Sequence, residues 1–189
     1  MQIRKQSPEA LNKAVSLLKK GGVVICPTDT VYGFLADATN KKAVEKIYNI
    51  KKRPRKKPLP VFVSNMKIAK EFAEISKDQE KIIKKYWPGK HTFILNRKLG
   101  KKLYGQDKRT IALRIPRYSF LNNLLKRVNR PLVQTSVNVS TQSPLFSIRD
   151  IINEFSRADI LTIDAGTFKK SKPSKVVSLI DSKAKILRK

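Results

Sequence analysis

The chain has 189 residues, 40% of them hydrophobic, enough to bury a sizeable core in one domain running from 1 to 189. Forty-two Lys and Arg against fourteen Asp and Glu leave a net charge of +28, most of which belongs on the surface, where it attracts polyanions. A single cysteine, Cys26, excludes an internal disulfide, a single histidine, His91, excludes His-rich zinc sites, and no apolar run approaches the ~20 residues of a membrane span. The N-terminus lacks the apolar core of a secretory signal, so the expectation is a cytoplasmic protein with no membrane partner and no bound zinc or haem.

Ser7 as N-cap, Pro8 at the first helical position and apolar Leu11, Ala14, Val15 and Leu18 predict an opening helix that Gly21 and Gly22 end. "VVIC" follows as a buried strand, then the turn-like "PTDT" and a second extended run, "VYGFLADA". Asn40 caps a helix whose apolar positions are Ala43, Val44, Ile47 and Ile50. That helix runs into a segment, Lys51 to Lys57, in which six of seven residues are basic. Pro54 and Pro58 disfavour helix and place this run on a loop before the strand "LPVFVS".

"NMKIAKEFAEI" and "KDQEKIIKKYW" read as helices, "HTFILNR" and "TIALRIP" as strands, "YSFLNNLLKRV" as a helix and "RPLVQTSVNVS" as extended. Ser147 caps a helix through Phe155, and three β-rich runs, "ILTIDAG", "KVVSLID" and "KILRK", complete the chain. Helices and strands interspersed along the whole length predict an α/β fold. Its sheet is expected to be mixed, because the last three strands lack intervening helices.

No phosphate-binding G-x-x-x-x-G-K-[ST] loop, G-x-G-x-x-G fingerprint, H-E-x-x-H or G-x-S-x-G occurs, which removes support for the common nucleotide hydrolases, dehydrogenases, metalloproteases and serine esterases. What remains is a scattered set of small hydroxyls, amides and cations near strand ends: Thr28, Thr30, Lys51, Arg53, Arg114, Ser136, Asn138, Ser174 and Arg188. Such groups bind anions and polar ligands. Lys51 and Arg53, two apart on a loop entering a strand, can aim at one ligand, and Ser136 and Asn138 share one face of an extended segment.

The contexts of these residues match one family. "PTDTVYGFLADA" resembles the P-T-[DE]-T-V-Y-G-L stretch of the YrdC-like threonylcarbamoyl-AMP synthases, and "KKRPRKKPLPVFV" resembles their K-x-R-P-x-x-x-P-L stretch. "YWPGKHTFIL", "IALRIPRYSF", "PLVQTSVNVS" and "KPSKVVSLI" resemble four further motifs of that family in the same order, so the resemblance covers about residues 8 to 188. It implies a twisted mixed sheet flanked by helices around a concave, positively charged cleft.

The resemblance also implies a reaction. L-threonine, bicarbonate and ATP, the last with Mg²⁺, give threonylcarbamoyl-adenylate, pyrophosphate and water, with no metal held by protein side chains. The product feeds N6-threonylcarbamoylation of adenosine 37 in tRNA by separate transfer proteins. Carried over residue by residue, Lys51 and Arg53 become catalytic and phosphate-binding. Thr28, Tyr32, Arg114, Ser136 and Ser174 become threonine and bicarbonate contacts, and Asn138 and Arg188 nucleotide contacts.

Other basic residues of the run, Lys52, Arg55, Lys56 and Lys57, read as solvated charge. His91, Cys26 and Trp87 read as structural. Departures from the family pattern are Asp29 for Glu, Phe62 for His, Lys90 for Pro, Val137 for Ala, Lys175 for Thr, and Thr141 for a Gly. If that Gly serves a positive φ, Thr141 is expected to force a different local turn. The rival expectation, raised by the charge and these departures, is a catalytically weak RNA-binding member that contacts tRNA, rRNA or double-stranded RNA.

Overall fold

Helix starts fall where their caps stand. In the computed structural model, which describes residues 1–181 and 184–188, the Ser7 hydroxyl accepts from Ala10 N and opens α1 (Pro8–Lys19). Asn40, Asn65 and Ser147 open α2 (Lys41–Ile50), α3 (Met66–Phe72) and α6 (Ile148–Phe155) in the same way, each accepting from the N–H three residues on. Ser76 and Gln79 form a reciprocal capping box at α4 (Lys77–Lys84). The helix α5 (Ser119–Val128) starts without a side-chain cap; it ends at Asn129, whose left-handed φ of 53° closes the helix.

Among the described residues, ten strands join in one sheet: β1 (Gln2–Lys5), β2 (Val24–Cys26), β3 (Gly33–Asp37), β4 (Val61–Phe62), β5 (His91–Asn96), β6 (Thr110–Arg114), β7 (Leu132–Ser136), β8 (Leu161–Asp164), β9 (Lys175–Ser178) and β10 (Lys185–Arg188). Their order is β1-β8-β2-β3-β7-β4-β6-β5-β9-β10. Parallel pairs (β1 with β8, β2 with β8, β4 with β6, β5 with β9) occur among antiparallel ones, so the sheet is mixed, as the helix-free tail led one to expect. Nothing in the sequence pattern predicts β1. All four of its residues are exposed and carry no alternation, and the ladder to β8 alone recruits it as an edge.

Alternation along the strands divides the interior into two cores. Phe34, Val133, Val61, Leu113 and Phe93 pack with Ile47 of α2, Ile83 of α4 and Phe155 of α6 on one face. On the other, Cys26, Leu35, Leu132 and Phe62 pack with Ala14 and Leu18 of α1 and Leu121 and Leu125 of α5. Neither α1 nor α5 extends this second core over β6, β5 or β9. There the sheet carries Ala112, Thr92, Ile94 and Val176, which with Pro58 and Pro60 line a cavity of about 190 Å³. The basic loop after α2 thus forms one bank of an open stretch of sheet.

Among the described residues, no helix is long and apolar enough to cross a membrane.

Candidate functional site

The turn between β2 and β3 is held by its own hydroxyls. Thr28 Oγ1 donates to Val31 O at 2.7 Å and accepts from the N–H groups of Thr30 and Val31 at 3.0 and 3.2 Å. This knot aims Asp29 across the sheet. Its Oδ1 accepts from Arg114 Nη2 at 2.5 Å, and its Oδ2 accepts from Arg117 N at 3.1 Å. Arg114, at the end of β6 and only 2% exposed, also donates from Nε to Gly89 O at 2.9 Å and lies over the Phe62 ring, 5.5 Å from its centroid. Burial lowers its pKa, Asp29 opposes that, and nearby Arg188 adds to the lowering.

A guanidinium has five N–H groups, and Arg114 commits two of them to Gly89 and Asp29, leaving three without a protein partner among the described residues. Nη1 is not one of the enclosed unpaired atoms, which among the described residues are Asn122 Oδ1, Ser140 Oγ and Thr162 Oγ1. Nη1 thus makes no hydrogen bond to any described residue.

On the neighbouring strands, Thr92 Oγ1 and Ser174 Oγ are 3.0 Å apart, both buried. Arg188 donates from Nε and Nη2 to Ser174 O at 3.0 and 2.7 Å, and from Nη2 to Ser174 Oγ at 3.2 Å. This fixes the β10 edge beside the cavity and leaves Arg188 Nη1 without a protein partner among the described residues. Arg114, Arg188, Ser174 and Thr92 form one group.

Lys51 caps α2 and is buried. Its ammonium donates to Ser136 O at 2.6 Å, Asn138 O at 2.8 Å and Asn138 Oδ1 at 2.8 Å. Ser136 Oγ donates to the same Oδ1 at 2.7 Å, and Asn138 Nδ2 donates to Val139 O and Gln142 O. All three Lys51 N–H groups are thus occupied. Burial, reinforced by the charge of Arg53, lowers its pKa to about 7. Arg53 is half-buried and donates to Lys57 O at 3.2 Å and Pro58 O at 2.9 Å, curling the basic loop onto the cavity's bank.

The residues singled out from sequence therefore fall into two clusters, Lys51 with Ser136 and Asn138, and Arg114 with Ser174 and Arg188. The Gly33–Ser136 pairing of β3 with β7 and the Pro58 loop link them. Tyr32 is tied to the first cluster by its backbone, its O accepting from Val137 N at 3.0 Å, while its hydroxyl donates to Gly166 O at 2.7 Å and accepts from Ala165 N at 2.9 Å, pinning the loop after β8. Thr141 takes the positive φ itself, 79°, rather than forcing another turn.

Sequence reasoning misses Asp29 and Thr92 as site residues. The signal for Asp29 is an acid between two threonines in a chain poor in acids; Thr92 gives none, because only the parallel β5–β9 pairing sets it beside Ser174.

The model of the Sua5/YciO/YrdC family, described as "Telomere recombination", matches residues 16–189. The chain belongs to the Sua5/YciO/YrdC family. Among curated relatives, a Methanocaldococcus jannaschii protein provisionally named a threonylcarbamoyl-AMP synthase is 36% identical, the match covering 97% of this chain and 88% of that protein. The threonylcarbamoyl-AMP synthase of Buchnera aphidicola is 30% identical over 92% of this chain and 93% of its own length. Among solved structures, P. abyssi Sua5 complexed with L-threonine superposes with a TM-score of 0.88 at 26% identity, covering 99% of this chain. This chain spans only 56% of that one. Escherichia coli YciO shares the fold, with a TM-score of 0.87 at 23% identity over the full chain and 93% of YciO.

Proposed function

We propose that this chain is a threonylcarbamoyl-AMP synthase of the nucleotidyltransferase class. The observation that carries the reading is Arg114: a guanidinium withdrawn from water, held by an acid and a carbonyl, with three N–H groups unpartnered among the described residues, near a second guanidinium and two residues along β6 from Ala112, which lines a small cavity. The relatives named for this activity, and the threonine-bound Sua5, support it.

The reaction joins three anionic or zwitterionic partners, so the protein's task is to neutralise and align them. The threonine amine attacks the bicarbonate carbon and water leaves, giving a carbamate. A carbamate oxygen then attacks the α-phosphorus of ATP, and pyrophosphate departs. In this scheme Arg114 takes the threonine carboxylate and Arg188 the phosphates, while Ser174 and Thr92 offer hydroxyls between them. Arg53, from the opposite bank, meets the triphosphate with the N–H groups it does not give to its own loop. Thr28 and Tyr32 shape the pocket by holding their turns. Lys51 fixes Ser136 and Asn138 from behind the wall.

Mg²⁺ enters with ATP. The carboxylate nearest Arg114, that of Asp29, already accepts from Arg114 and Arg117, so the donors that fit the ion are triphosphate oxygens and water. The proposed setting is the cytoplasm, where the adenylate passes to separate proteins that modify adenosine 37 of tRNA.

The test is incubation with ATP, L-threonine and ¹⁴C-bicarbonate. Labelled adenylate and pyrophosphate that both require threonine are expected; their absence refutes the reading.

A further inference from the structure

The proposed mechanism uses Arg114 but not the acid that holds it. Asp29 is 7% exposed in its side chain, and both its oxygens are directed at the end of β6 and the segment leading from it into α5: Oδ1 to Arg114 Nη2 at 2.5 Å, Oδ2 to Arg117 N at 3.1 Å. Gly89 O takes Arg114 Nε at 2.9 Å, and Phe62 lies beneath the guanidinium. Two hydrogen bonds on adjacent edges and one ring contact fix both the plane of the group and its rotation in that plane.

The need for such fixing is visible. Arg188 is near enough to depress the Arg114 pKa, so like charge pushes the two guanidiniums apart. No other side-chain carboxylate forms an ion pair with Arg114 among the described residues. A long side chain with four rotatable bonds, repelled by its neighbour, needs a counter-charge on its far side to hold the guanidinium in one orientation.

We infer that Asp29 is a positioning residue: it sets the direction in which Arg114 presents its free N–H groups, and so the affinity for a carboxylate-bearing amino acid rather than the rate of the chemical step. The inference rests on the reaction proposed above. A clasp that merely joined two loops would alter stability and disturb all substrates alike, whereas a positioning residue acts on one.

The discriminating experiment measures kcat and KM for threonine and for ATP in intact wild type, Asp29→Asn and Asp29→Glu, together with their melting temperatures. Asn keeps the size and loses the charge and an acceptor; Glu keeps the charge and shifts it by one methylene. Expected in Asp29→Asn is a threonine KM raised about tenfold or more, an ATP KM within about twofold of wild type and a kcat within about threefold. Expected in Asp29→Glu is a threonine KM raised about threefold. Should Asp29→Asn melt below the assay temperature, Asp29→Glu alone decides by the same split. Wild-type turnover with an unchanged threonine KM in the variants, or an equal rise in both KM values, overturns the inference alone. Absence of threonine-dependent turnover in wild type overturns the reaction and the inference with it.

Discussion

Lys51, at the end of α2, and Arg114, at the end of β6, are both nearly inaccessible cations, yet they hold opposite positions in the balance of donors. Every N–H of Lys51 ends on a protein oxygen of Ser136 or Asn138, whereas Arg114 keeps three of its five free among the described residues. The difference teaches that burial of a charge says little about its task. A buried cation with all donors occupied orders its surroundings; one with donors to spare, braced by an acid, is ready for a ligand.

The comparison can be broken most severely at Arg114. Replacing it with Ala strands the Asp29 carboxylate in the interior, so unfolding free energy should fall by about 3–5 kcal/mol in urea titration, with threonine-dependent turnover lost. Arg114→Lys separates the two roles: it restores much of the stability but not the forked hydrogen bonding, and turnover should stay low. Lys51→Met comes next. It leaves the oxygens of Ser136 and Asn138 without their donor and should cost about 2–3 kcal/mol; a loss of turnover without a change in stability would contradict the ordering role.

Protonation sharpens the same contrast. The native Lys51 pKa is lowered to about 7 from the ordinary lysine value near 10.5, so between those two values the unfolded chain binds the more protons and stability rises with pH. Below pH 7 the full cost of burying the charge is present. Wild type should therefore gain stability relative to Lys51→Met from pH 7 to 10, by at most about 1.4 kcal/mol per pH unit, as read by parallel urea titrations. Thr141, β-branched yet at φ 79°, offers a smaller effect in the other direction: Thr141→Gly should stabilise by about 1 kcal/mol. Smallest is the rim. Arg53→Ala removes a tie within an exposed loop and should shift stability by less than about 0.5 kcal/mol, while lowering turnover about tenfold or more if Arg53 meets the triphosphate.

Local signals made most of the fold legible. Caps at Ser7, Asn40 and Ser147 and the prolines of the basic loop act within a few residues, and the helices and the loop they mark lie where those signals put them. Strand order was not legible, because hydrogen bonding between β5 and β9 joins residues more than eighty apart. The exposed β1 lacked any pattern at all. At the site, the residue types were legible but their partners were not. Thr28 and Thr30 look alike in sequence; only the folded turn shows Thr28 Oγ1 bonded to Val31 while Thr30 O accepts from Ser171. Likewise "KKRPRKK" gives no sign that Lys51 turns inward while Arg55 pairs with Glu45 on the surface.

The central claim is that the open stretch of sheet beside Arg114, Ser174 and Arg188 is where threonine and nucleotide meet. It is tested most directly by following the backbone amides by NMR as L-threonine and a non-hydrolysable ATP analogue with Mg²⁺ are added. The account predicts shifts centred on Asp29, Thr92, Arg114 and Ser174, with smaller changes at Lys51 and Asn138. Saturable shifts confined to α1, α5 or α6, or no shifts at all, would contradict it.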